Sequence, residues 1–329
     1  MVQQVADGIY SFEIVLPENP LKWLNCYVVK GNPGTGERNL LIDTGFNRPE
    51  CHEALLAGIR ELELRPENTD VLFTHLHADH TGGAGVLEPM GFHILMGEND
   101  YIRVSKNRES RWKAGVERLG IPQEILQKVM NKNPGIIYSP PLFHAEKLKG
   151  CEVLDYGGRK LECVLTPGHT PGHICLYDRE HKLMFSGDHV LFDITPNIVS
   201  WYGHRDSLGD YLDSLRLVRD YPVEIALPAH RTTGGKTFTQ RIDELLVHHE
   251  RRLNETRLAA EAMPGSSAFD VAGHVTWKIR ARNWEEFPPG QKWFAVGECL
   301  AHLEYLECRN LLRKEIDEMG GYRYYPVNK

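Results

Sequence analysis

The chain has 329 residues, 41% hydrophobic and 25% charged, an ordinary globular balance with ample material for a sizeable core. Lys and Arg total 38 against 45 Asp and Glu, a net charge of −7, which argues against a general nucleic-acid binder because phosphate affinity comes from clustered cations. No apolar run approaches a membrane span, and the start MVQQVADGIYSF lacks the basic and apolar regions of a signal peptide.

The first part alternates short strands and helices. Ile9–Val15, Cys26–Val29 and Asn39–Ile42 are expected strands, with a turn at Asn32-Pro33-Gly34-Thr35-Gly36 before the third. Pro49 opens a helix through about Leu62. Val71–Thr74, His93–Met96, Val153–Tyr156, Leu161–Leu165, Ile174–Tyr177 and Lys182–Ser186 are the next expected strands, then a helix at Leu208–Arg219 and a short strand at Glu224–Leu227. Two segments break the pattern. Glu98–Lys132 is charged and rich in helix formers, a helical insertion that runs with its following loop to about residue 150. From residue 240 to 329 the chain turns helical: Gln240–Ala262, a helix after the cap Ser267, and one from Pro288-Pro289 to about Cys308. LLRKEIDEMGGYRYYP then reads as two strands around Gly320-Gly321, so the tail resembles a small winged-helix unit and residues 1–239 form the main domain.

The seven cysteines (Cys26, Cys51, Cys151, Cys163, Cys175, Cys299, Cys308) form no CxxC pair and mostly sit among apolar neighbours. They read as buried free thiols, and a reducing cytoplasm is the expected compartment.

The strongest chemical signal is Thr74-His75-Leu76-His77-Ala78-Asp79-His80-Thr81-Gly82-Gly83, which follows the apolar strand VLF. On an extended backbone His75 and His77 point the same way, and a turn at Ala78-Asp79 lets Asp79 and His80 face a second position. Imidazoles with a carboxylate suit zinc, iron or manganese better than magnesium or calcium. Further candidates leave the ends of apolar strands: His169 after Thr166-Pro167-Gly168, Asp188 after Ser186-Gly187, and His230 after Leu227-Pro228-Ala229. Gly and Pro there set sharp turns that aim single side chains back into a cleft.

This series of HxHxDH, PGH, GD and a last His resembles the metallo-beta-lactamase superfamily over roughly the first three-quarters of the chain. The resemblance implies an α/β fold, an αβ/βα four-layer sandwich. It also implies two divalent metal ions, zinc above iron or manganese: one held by His75, His77 and His169, the other by Asp79, His80 and His230, with Asp188 bridging both. Asp43 in Leu41-Ile42-Asp43-Thr44-Gly45 matches a family position that supports the ligand loops. His173, His189 and His204 are expected to be structural. The drug-resistance zinc beta-lactamases carry Cys where this chain has Asp188, flavodiiron reductases carry an acidic residue at the position of His77, and persulfide dioxygenases lack a helical tail. Arg231 stands where many relatives have Gly, and it is expected to reach toward the cleft.

The implied reaction uses a hydroxide shared by two metals as nucleophile, with Asp79 and Asp188 as the catalytic carboxylates. The expected substrate is a small, anionic carboxylic ester, thioester or lactone. Arg103, Arg108 and Arg111 of the insertion are the expected anion contacts, with Tyr101 and Trp112 forming a lid. The tail also resembles that of a mitochondrial endoribonuclease type, so phosphodiester cleavage is the alternative; persulfide dioxygenation and a relic nucleic-acid-binding protein rank lower. Lys292 opposed by Glu298, Glu304 and Glu307 is a poor face for RNA, so the tail reads as a structural cover or the contact of a homodimer.

Overall fold

Two sheets organise the computed structural model, which describes residues 1–32, 34–105, 115–130, 132–278 and 281–327. The first sheet contains β1 (Gln3–Ala6), β2 (Ile9–Val15), β3 (Trp23–Val29), β4 (Asn39–Ile42), β5 (Thr69–Phe73), β6 (His93–Gly97) and β7 (Glu146–Leu148), side by side in chain order. Neighbours from β1 to β4 run antiparallel and those from β4 to β7 parallel. The second sheet has β8 (Val153–Tyr156), β9 (Arg159–Leu165), β10 (Ile174–Asp178), β11 (Leu183–Gly187) and β12 (Ile225–Pro228), in the spatial order β12-β11-β10-β9-β8.

Strand alternation builds the layers. Leu40 and Ile42 face the second sheet and meet Ile174 and Leu176 there, while Leu41 faces the other way, onto α1 (Pro49–Glu61) with its Leu55 and Ile59. On the second sheet Cys175 and Tyr177 point outward, against later helices. The connection after β5 carries α2 (Ala78–Thr81) and α3 (Ala84–Leu87), and β6 leads into α4 (Glu98–Ser105), α5 (Gln123–Met130) and α6 (Pro134–Ile137). α7 (Ser207–Arg219) and α8 (Phe238–Ala262) cover the second sheet, burying Leu208, Leu212, Leu215, Ile242 and Leu245. Local chemistry starts both helices: the Asp206 side chain accepts from Gly209 N, and Thr237 and Gln240 form a reciprocal capping box. The result is the four-layer sandwich, helices outside two packed sheets.

Beyond α8 come α9 (Ala268–Ala272), α10 (Pro289–Cys308) and a hairpin of β13 (Leu312–Ile316) and β14 (Tyr322–Pro326). α10 is buried along most of its length, including Lys292, Leu300, Leu303 and Glu304. Leu119, Ile121 and Leu126 of the insertion share one core with Ala260, Val271, Leu300, Leu303 and Tyr324. Insertion and tail, far apart in sequence, therefore pack as one body. α8 spans both regions, since Phe238 and Ile242 pack over the second sheet and Ala260 enters the tail core.

Several expectations change. The segment to residue 150 is not helical throughout, because β7 adds a parallel strand beside β6. β1 pairs with β2 as an edge strand the sequence did not announce, being four residues long, half of them Gln, and mostly exposed. Cys151 is exposed and Cys308 half-buried; the other five thiols are buried. Among the described residues no helix is long and apolar enough to cross a membrane.

Candidate metal centre

β5 is buried at every residue and delivers Thr74 and His75 just beyond its C-terminal end, in the middle of the sheet. His77 keeps extended angles, φ −65° and ψ 150°, before the chain turns into α2. His75 Nε2 lies 2.9 Å from His77 Nδ1, and His169 Nε2 lies 3.0 Å from the same atom. On the other side Asp79 Oδ2 is 3.8 Å from His80 Nε2 and 3.3 Å from His230 Nε2. Asp188 stands between the two sets. Its Oδ2 is 3.5 Å from His169 Nε2, and its Oδ1 is 3.6 Å from His80 Nε2 and 3.5 Å from His230 Nε2. Candidate ligand atoms of His75, His77, His169 and Asp188 lie within 4.8 Å of one another, as do those of Asp79, His80 and His230. All seven sequence-predicted ligands thus meet in one place, and all but the half-buried His77 are buried.

Buried neighbours set the imidazole tautomers. Asp43 accepts from Thr74 N at 2.9 Å and Thr74 Oγ1 at 2.8 Å, and its Oδ2 takes His80 Nδ1 at 2.8 Å. With its own proton given to Asp43, Thr74 Oγ1 is left to accept from His75 Nδ1 at 3.1 Å. His169 Nδ1 meets the Asn197 carbonyl at 3.1 Å, and His230 Nδ1 the Trp23 carbonyl at 2.9 Å. Since a carbonyl or carboxylate only accepts, these nitrogens carry the protons and each Nε2 lone pair points into the site. Asp43 has φ 60°, a left-handed conformation that short Asp side chains tolerate. His173 accepts the Asp188 N–H at 3.1 Å, and its Nδ1 meets Thr166 Oγ1 at 2.8 Å. Gly187, at φ 49°, has no room for a side chain, because a Cβ would sit 2.5 Å from His173 Nε2.

The electrostatics separate the halves. Burial and neighbouring imidazoles hold His75 well below its ordinary pKa, and burial with His77 brings His169 to about 3. Burial pulls His80 and His230 down, but Asp43, Asp188 and Asp79 outweigh it for His80 and Asp188 and Asp79 for His230, so both are raised. A cation bound there would take the place of the proton on Nε2. Asp79 is held at about 2, burial opposing and His80 and His230 prevailing. The buried His80 Nε2, His230 Nε2 and Asp188 Oδ1 lack hydrogen-bond partners, an arrangement that costs about 1–3 kcal/mol per atom unless a cation satisfies them. The donor set fits divalent ions, and the aimed lone pairs match what such ions need.

Residues outside the motifs complete the site. Asp100, buried in α4, accepts from Leu76 N at 2.9 Å, Thr170 Oγ1 at 2.6 Å and Gly172 N at 2.7 Å, tying together the two loops that carry His75, His77 and His169. Trp201 Nε1 donates to the His169 carbonyl at 3.0 Å, and its ring lies 5.9 Å from that of His77. Nothing in residue spacing marks either one; only an acid opening a helix after a strand hinted at Asp100. Of the expected anion contacts, Arg103 lies with its guanidinium 5.6 Å over the Trp201 ring and donates to the Tyr202 carbonyl at 3.1 Å, whereas Arg108, Arg111 and the lid candidate Trp112 lie outside the described residues. Tyr101 is no lid, since it packs inward against Phe143. Arg118 is a buried ion-pair partner of Glu304 and offers no free cation. Arg231 turns to the Pro20 carbonyl and the Trp23 ring. His204 pairs with Asp210 at 2.6 Å, and His189 packs on Tyr211.

Comparison with known proteins agrees with this geometry. Residues 24–230 match the metallo-beta-lactamase superfamily, and residues 285–327 match a metallo-beta-lactamase-like C-terminal domain. The chain is 28% identical over 335 aligned positions to Lactamase-like protein adaB of Aspergillus niger, covering 90% of this chain and 88% of that protein. It is 30% identical over 237 positions to a Gallus gallus protein named Acyl-coenzyme A thioesterase MBLAC2, covering 66% and 76% respectively. A crystal structure of a metallo-beta-lactamase family protein from Thermus thermophilus superposes with a TM-score of 0.77 at 26% identity, covering 98% of this chain and all of that one.

Proposed function

Because the chain belongs to the metallo-beta-lactamase superfamily, we propose that this metal-dependent hydrolase acts on carboxylic esters, with anionic acyl thioesters as its preferred substrates and lactones as a lesser class. The observation that carries the reading is the Asp188 carboxylate, which offers one oxygen to each of two ligand sets. His75, His77 and His169 would hold one ion, Asp79, His80 and His230 the other, and Asp188 both. A donor set of five imidazoles and two carboxylates favours zinc, with iron or manganese as alternatives. Bound there, the two ions would acidify a shared water from a pKa of about 15.7 toward 7 and polarise a carbonyl oxygen.

The protein supplies the rest. Asp79, ionised and held at the second ligand set, orients the attacking water. Asp43, Thr74 and the carbonyls of Asn197 and Trp23 lock the imidazoles so that no reorganisation accompanies the reaction. Arg103, beside Trp201 on the half-buried His77 side, draws a negatively charged acyl carrier toward the centre. The thioester preference is supported by relatives named for that chemistry, the Gallus gallus protein above and an Atrochrysone carboxyl ACP thioesterase of Emericella nidulans, 27% identical over 216 positions. Phosphodiester cleavage is disfavoured by α10: a recognition helix presents an exposed basic face, whereas Lys292 is buried and donates to the Glu285 carbonyl.

The test is a panel of acyl-CoA thioester, neutral aryl ester, lactone and single-stranded RNA, run with zinc-, iron- and manganese-loaded protein. The highest kcat/KM is expected on the thioester. Salt-sensitive RNA cleavage above every ester turnover would replace this reading with the endoribonuclease one.

A further inference from the structure

His169 is gripped from two sides by one irregular loop. The Asn197 carbonyl faces its Nδ1, Trp201 Nε1 donates to its carbonyl, and the Trp201 ring stands beside His77. Between Asn197 and Trp201 lies no helix or strand to hold that shape. Ile198 is buried in the core over the second sheet, and Trp201 N reaches Ser207 Oγ at 3.4 Å; the polar support of Ser200 comes from the insertion and the tail. Ser200 N approaches the Gly297 carbonyl of α10 at 3.4 Å, Ser200 Oγ donates to Glu304 Oε2, and Arg118 Nη2 donates to the Ser200 carbonyl at 3.0 Å. Arg118 and Glu304 pair at 3.2 Å with side chains only 6% and 5% exposed. Gly297 lets the helix come this close, since a Cβ there would lie 3.0 Å from Val199 Cγ1.

We infer that Arg118 and Glu304, one from the insertion and one from the terminal unit, are a positioning pair for the metal centre, acting on His169 through the loop from Asn197 to Trp201. A buried ion pair is weak evidence for stability, because desolvation offsets its attraction. What this pair adds is a single geometry: both of its hydrogen bonds to the loop fall on Ser200, one residue from Trp201 and three from Asn197, while the Arg118 guanidinium lies 5.7 Å from the Tyr202 ring. The tail is then part of the active-site scaffold, and the order of the first ligand set depends on it. The inference rests on the metal-hydrolase reading for its meaning, but its physical content is the order of a loop in the protein itself.

The experiment uses the full chain in three variants: Glu304→Leu, the charge-free double variant R118M/E304L, and Leu312→Ala, which removes packing from the same tail core without touching the loop. Amide exchange across 195–203 is followed in metal-free protein, zinc affinity by chelator competition, and kcat and KM on a thioester. Glu304→Leu and the double variant should speed exchange at 197–201 about tenfold or more. They should weaken one of two zinc ions by about 10–100-fold, the usual effect of losing an outer support, and lower kcat more than KM. Leu312→Ala should lower Tm and leave exchange and zinc affinity alone. If Glu304→Leu leaves a buried unpaired Arg118 and does not fold, the double variant carries the test. Unchanged exchange and zinc affinity in the double variant would overturn the inference. So would Leu312→Ala reproducing both effects at an equal loss of Tm. Failure of thioester turnover in wild type with both zinc ions bound would instead refute the proposed substrate and leave the exchange result standing.

Discussion

The Asp100 carboxylate accepts the backbone N–H of Leu76 at 2.9 Å, so a residue of the insertion holds the peptide between His75 and His77. The same carboxylate takes Thr170 Oγ1 and Gly172 N, beside His169. All three partners donate. In Asp100→Asn the amide nitrogen cannot accept, and one buried donor is left facing another, at about 1–3 kcal/mol. A lower Tm is expected, together with faster zinc loss to a chelator. Wild-type values of both would show that the two loops hold their shape without Asp100.

Metal content should follow the two ligand sets. Asp188→Ala is expected to disturb both ions, while His169→Ala and His230→Ala each leave one, on opposite sides. Cys175 is buried against Thr166 and the Ser186 carbonyl, its thiol pushed up to about 12 by burial, so Cys175→Ala should leave metal content unchanged. Elemental analysis of each variant decides. Two ions retained in Asp188→Ala would remove the bridging assignment.

Asp43 makes no contact with a reacting atom in this scheme, yet it fixes the His80 tautomer. Asp43→Asn keeps the shape and the tolerance for a left-handed backbone, but it loses a charged acceptor. The second ion, whose His80 meets Asp43 directly, should bind about 10–100-fold more weakly, and the first, whose His75 is oriented through Thr74, should weaken less. Equal weakening of both would point to a general loss of fold at Thr74.

Glu298 gives the chain a readable pH dependence. Burial raises its pKa from the ordinary 4.5 to about 7, with the nearby Arg252 pulling it back. Between those values the folded chain keeps a proton that the unfolded chain has released. The contribution of this group to stability therefore falls as pH rises from about 4.5 to about 7 and stays low above that. Glu298→Gln has no proton to lose. Its stability relative to wild type should rise from pH 5 to pH 8, by at most about 3 kcal/mol. Denaturant curves that shift in parallel at both pH values would show that Glu298 does not titrate in this range.

Arg103→Ala separates binding from chemistry. KM for anionic thioesters should rise several-fold while turnover of a small neutral ester stays near wild type, the pattern of a contact shared by ground and transition states. An equal fall in kcat on both substrates would place Arg103 in the catalytic geometry through its contact with Trp201.

How much of this was legible in the chain follows from the range of each interaction. His75, His77, Asp79 and His80 fall on one strand-to-helix turn, and His169, Asp188 and His230 each follow an apolar strand at a Gly- or Pro-shaped exit. Local backbone geometry sets where such side chains point, so the ligand series could be read directly. Most strands also announced themselves, several as short apolar runs between turn residues, except the exposed edge strand β1 and the three-residue β7, which are too short or too exposed to carry a pattern. Tertiary structure alone decided the supports. Asp100 reaches Thr170 and Gly172 across about 70 positions, and Arg118 meets Glu304 across 186. A hydrogen bond requires only proximity of two groups, and nothing at either sequence position records a partner so far along the chain. That the insertion and tail share one core, and together brace the loop behind His169, is likewise a property of packing, which no local pattern encodes.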